Sequence, residues 1–141
     1  MSPSARSKKH LEDRGFIVGS VEKYNQYSRT RHDFPYKKDG GFADLLAYKP
    51  GVSGVLAVQC TTSDNVSSRE KKIQGYETLY GWTQSNNACV IHGWSKKGPK
   101  GKRKLWAVRI LIYAPESREF LTILEHQMIY LKTPLLLQAS T

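Results

Sequence analysis

Cysteine is scarce in this chain: Cys60 and Cys89 are the only two of 141 residues, and neither has a CxxC or Cys/His neighbour. That excludes a disulfide-stapled scaffold and a thiolate metal site, and leaves two reduced thiols buried in strands. The four histidines form no HxxxH or HxH pair, so His32 and His92 read as loop and strand residues rather than zinc ligands. No apolar run approaches the roughly 18 residues of a membrane span, and the opening Met1-Ser-Pro-Ser-Ala-Arg-Ser-Lys-Lys9 has no apolar signal core. The expectation is a cytoplasmic protein with no membrane partner. Acidic residues are also few, 12 against 22 Lys and Arg, for a net charge of +10. Such an excess favours a polyanion such as nucleic acid over a small neutral substrate.

What is present suits a single domain, 1–141, large enough to bury a core unaided. Repeats and low-complexity tracts are absent. A basic helix is expected from Pro3 or Ser4 to a stop at Gly15, turned to solvent or phosphate, then a strand from Phe16 to Tyr24. Ser28 to Gly41 reads as a polar loop leading to the strand Phe42–Tyr48, and Val55–Thr61 as the next strand. Ser67-Ser-Arg-Glu70 fits a capping box that opens a helix to about Gly81, with Ile73, Tyr76 and Tyr80 toward the sheet and Gly75 as its weak point. Ala88–Trp94 and Lys104–Tyr113 read as strands, and Ser117–Met128 as a helix with Phe120, Ile123 and Leu124 inward. A strand–helix–strand succession calls for one parallel pair, and turns near Gly51 and Gly101 call for antiparallel hairpins, so the class is α/β with a mixed sheet.

The chemistry concentrates at Asp44, a single carboxylate in the apolar run Phe42-Ala-Asp-Leu-Leu-Ala-Tyr48. Burying it demands a partner or a metal. Strand alternation places it on one face with Leu46, and places Gln59 and Thr61 on one face of the following strand, so the three converge.

This pattern resembles the core of the PD-(D/E)xK nucleases, and in layout the archaeal and phage-type Holliday junction resolvases, over about Leu11 to Ile112. The resemblance implies a restriction-endonuclease-like three-layer core, with a central mixed β-sheet flanked by helices. It also implies Mg²⁺, with Mn²⁺ as substitute, held beside a scissile phosphate. Asp44 takes the place of the motif Asp and Gln59 that of the motif acid, while Thr61 stands where the motif has Lys. Asp33 in Arg31-His-Asp-Phe34 is favoured over Glu22 as the second carboxylate. Lys72, on the helix after Thr61 with Arg69 on the same face, is the candidate for the displaced ammonium. The resolvases carry a Glu early in the first helix, where this chain has Ser4 and Arg6; Glu12 does not inherit that role.

Lys96, Lys97, Lys100, Lys102, Arg103 and Lys104, interspersed with Gly98, Pro99 and Gly101, form a basic hairpin. Together with Arg69 they are the expected DNA contacts, tracking the backbone without base readout, with a log-log salt slope near about −5. Trp94 and Trp106 flank the hairpin and are expected in the core. The reading is a Mg²⁺-dependent, structure-selective DNA endonuclease acting on branched or junction DNA as a homodimer. Residues 114–141 are expected as a C-terminal extension, and part of its apolar set Ile123, Leu124, Ile129, Leu131 and Leu135–Leu137 is expected to cover the two-fold interface. The competing readings are a decayed nuclease fold that only binds nucleic acid, and a small ribosome- or RNA-associated protein, which explains the charge but not Asp44.

Overall fold

The computed structural model describes residues 1–21 and 41–123. Glu22, His32, Asp33, most of the polar loop and the tail from Leu124 lie outside the described residues.

Helix α1 (Pro3–Glu12) starts as its sequence asks: the Ser2 hydroxyl accepts from the Ala5 N–H at 3.1 Å, and proline takes the first helical position. It ends where Gly15 adopts φ 91° and the Phe16 N–H returns to the Leu11 carbonyl at 3.0 Å. The helix is not wholly solvated, because Ser7 and Leu11 are buried against the sheet.

Six strands follow: β1 (Ile17–Ser20), β2 (Leu45–Tyr48), β3 (Leu56–Thr62), β4 (Ala88–Lys97), β5 (Leu105–Ala114) and β6 (Glu119–Ile123). They lie in that order in one sheet. Every pairing is antiparallel except β3 with β4, which is parallel, as a helical crossover requires. Between those two strands come a 3₁₀ turn (Ser63–Asn65) and helices α2 (Val66–Ile73) and α3 (Glu77–Gln84).

Strand alternation divides the core. Leu45, Leu56, Val58, Val90 and Ile110 pack with Leu11 and Phe16 on the α1 side. Ala57, Cys89, Ile91 and Leu111 pack with Phe42, Val66, Ile73 and Leu79 on the α2 and α3 side. The sheet therefore lies between α1 and the α2–α3 pair.

Two expected helices differ. The expected helix from Ser67 to Gly81 is two helices: it begins at Val66 behind Asn65 rather than at Ser67, and breaks before Tyr76, which is extended at φ −76°, ψ 125°. Gly75, as a glycine, has low helix propensity in mid-stretch, and the break lets both Ile73 and Leu79 become buried. The expected helix from Ser117 is instead β6, paired to β5 from Ala114↔Glu119 to Ile110↔Ile123 after a turn with Arg118 at φ 56°. The open edge of β5 supplies backbone partners that a helix would leave unused. Phe120 still points inward, its ring 5.3 Å from that of Tyr113.

Candidate functional site

Asp44 sits one residue ahead of β2, where the chain enters the sheet. Its N–H donates to the Val58 carbonyl at 2.8 Å and its carbonyl accepts from the Val21 N–H at 2.9 Å. These bonds fix the backbone and turn the carboxylate over β3. Oδ2 accepts from Gln59 Nε2 at 3.1 Å and from the Cys60 N–H at 2.7 Å, and the residue is 1% exposed. An ionised carboxylate only accepts, so the Gln59 amide nitrogen faces Asp44 and its oxygen faces away. Two donors on one oxygen offset part of the desolvation cost.

Gln59 and Thr61 are both buried, on the face that carries Ala57 and, across the parallel pair, Ile91 and Gly93. The 3₁₀ turn and α2 seat tightly there: a Cβ on Gly93 would lie 2.3 Å from Val66 Cγ2 and 3.3 Å from Ser63 Cα. Of the expected group, Asp44 and Gln59 are in contact, and Thr61 is buried on the same face of β3 as Gln59. Lys72 is exposed on α2, whereas Arg69 is half-buried between Val66 and Ile73. Among the described residues no group of three His, Cys, Asp or Glu is placed to hold a metal ion. Asp33 and Glu22 fall outside those residues.

The basic hairpin is better ordered than a loose loop. The β4–β5 ladder runs out to Lys97↔Leu105, and the tip closes with Lys102 N–H on the Pro99 carbonyl at 3.1 Å and Gly101 at φ 79°. Lys96, Lys97, Lys100, Lys102, Arg103 and Lys104 are all exposed. Trp94 is buried as expected, but Trp106 is 45% exposed, because it opposes Lys96 near the hairpin end, where the start of α1 covers it only in part. Arg6 lies over its ring, with Cζ 3.5 Å from the centroid, and Lys96 Nζ is 5.4 Å from it.

A buried polar cluster under α1 escapes sequence reading altogether. Ser7 Oγ accepts from Trp94 Nε1 at 2.9 Å and lies 2.9 Å from His92 Nδ1. His92 is fully buried; burial, then the neighbouring His10 and Arg14, pull its pKa down to about 3, so it is neutral in neutral solution. Its strand placement is as expected, but no local pattern links it to a serine 85 residues away. Cys60 and Cys89 are buried and form no disulfide, and burial pushes the Cys89 thiol up, out of nucleophilic range.

No family model matches the chain, and no curated protein and no solved structure shows a significant match. Described helices include none long and apolar enough to cross a membrane.

Proposed function

We propose that the protein is a metal-dependent, structure-selective DNA endonuclease on a restriction-endonuclease-like three-layer fold, similar to the Holliday junction resolvases. The order of elements supports this: a helix, three antiparallel strands, a helical crossover and a parallel strand match the arrangement that places the acids of a PD-(D/E)xK centre. The observation that carries the reading is the juxtaposition of Asp44 with Gln59 at 3.1 Å beside Thr61.

The donor chemistry fits a hard cation in kind. A carboxylate and an amide oxygen are magnesium ligands: Asp44 would hold the ion together with Asp33 or Glu22, and Gln59 would join them by turning its amide so that the oxygen, not the Nε2 now bonded to Asp44, faces the ion. When bound, the ion polarises the phosphate and lowers the pKa of its water. The chain's own contributions are three. The Cys60 N–H and the Gln59 amide orient the Asp44 carboxylate, an α2 cation takes the place of the motif Lys, and the hairpin holds the DNA backbone. Lys72 is the candidate for the second of these, with Arg69, half-buried on the same helix, as the alternative.

Incubating the protein with labelled duplex, flap and four-way DNA, in Mg²⁺ and in EDTA, tests the proposal. Cleavage in Mg²⁺ alone is expected, and Asp44→Asn should abolish it while leaving DNA binding intact. Full activity in Asp44→Asn would sink the assignment. The Gln59 amide on Asp44 favours a second reading, a nucleic-acid-binding module, since it gives the carboxylate an N–H donor where a metal centre would present an oxygen ligand. Binding without cleavage under every metal condition would establish that reading instead.

A further inference from the structure

On the α1 face of the sheet, opposite Asp44 and Gln59, an open cleft of about 440 Å³ runs between α1 and the β4–β5 hairpin. Arg6, Lys9, His10, Arg14, Trp94 and Trp106 line it. We propose that this cleft binds single-stranded nucleic acid, with one unpaired base stacked on Trp106 and the adjoining phosphates on Arg6, Arg14 and Lys96.

Four observations lead there. Trp106 is 45% exposed, whereas most of the other aromatic rings among the described residues are buried, so a flat apolar surface faces solvent. Its ring already holds cations, Arg6 at 3.5 Å and Lys96 at 5.4 Å, which mark the electron-rich face where a base would lie. The carboxylate lining the cleft, Asp13, is paired with Lys9 at 3.3 Å and leaves the field positive. Exposed Lys96, beside the Trp106 ring, and the exposed Lys and Arg side chains of the same hairpin add positive charge next to the cleft, which suits a strand longer than one nucleotide. Arg6 is a flexible side chain that also reaches the Met1 carbonyl; it swings from the ring to a phosphate as the base takes its place. A duplex keeps its bases stacked inside and cannot present one to the indole, so the site distinguishes unpaired from paired strands.

The test measures fluorescence anisotropy of a labelled oligothymidylate and of a labelled duplex of the same length, both in EDTA. Cleavage is thus not required, and failure at the Asp44 centre leaves the result unaffected. Trp106→Ala should weaken single-strand binding about tenfold and duplex binding less than about twofold. Trp106→Phe should retain most of the affinity, and Trp106→Leu, which keeps apolar bulk without a ring, should behave like the alanine variant. Thymidine monophosphate should compete only weakly. The proposal is overturned by equal losses on single strand and duplex, by a leucine variant as good as phenylalanine, or by a mononucleotide that competes as well as the strand.

Discussion

Asp44 is held by two donors on one oxygen, and this sets what each substitution does. Asparagine keeps an oxygen for the Cys60 N–H and the Gln59 amide, so Asp44→Asn should fold with near-native stability. Asp44→Ala strands both donors and should cost about 3 kcal/mol in urea unfolding. Gln59→Glu sets a second carboxylate at the 3.1 Å contact, a repulsion that only a proton or a cation relieves. Its melting temperature should fall in EDTA and recover in Mg²⁺ if this is a metal centre; no recovery would favour the binding module. His92 gives a pH dependence of definite sign. Its folded pKa, about 3, lies below the ordinary 6.5, so the unfolded chain binds the extra proton between those values. The stability is whole above pH about 6.5 and falls as the pH drops toward 3, by up to about 1.4 kcal/mol per pH unit. Urea unfolding at successive pH values should show that slope, and His92→Gln should flatten it.

At the level of elements, the crossover from β3 to β4 depends on close approach. The 3₁₀ turn and the start of α2 rest on a strand position with no side chain, and Gly93→Ala would drive its methyl into Val66 Cγ2 at 2.3 Å. Overpacking of this kind should destabilise the fold by about 2 kcal/mol, read from the denaturant midpoint. The hairpin behaves differently, because its charged side chains are exposed and carry little of the fold. Replacing Lys100, Lys102 and Arg103 with Ala should leave stability nearly unchanged, weaken binding to all DNA sequences alike, and lower the salt slope by roughly 2 to 3 units. A loss confined to one sequence would contradict backbone tracking.

For the whole molecule, a domain with one centre makes one nick, and symmetric resolution of a four-way junction needs two, so a two-fold dimer accompanies the resolvase reading. Light scattering should give near twice the 16.0 kDa chain mass, and four-way DNA should compete better than linear duplex. Of the residues expected at that interface, Ile123 packs against its own core, and those from Leu124 on lie outside the described residues. Much of the architecture was legible in sequence: α1 and its glycine stop, the hairpins at Gly51 and Gly101, the parallel pair, and Asp44 over Gln59. Those features follow from side-chain alternation, turn chemistry and the reach of a crossover, which act over a few residues or follow from connectivity. The break at Gly75, β6 in place of a helix, the exposure of Trp106 and the Ser7–His92–Trp94 cluster were decided only in three dimensions. Each depends on which surface or open backbone edge a distant part of the chain supplies, and no local pattern encodes that neighbour.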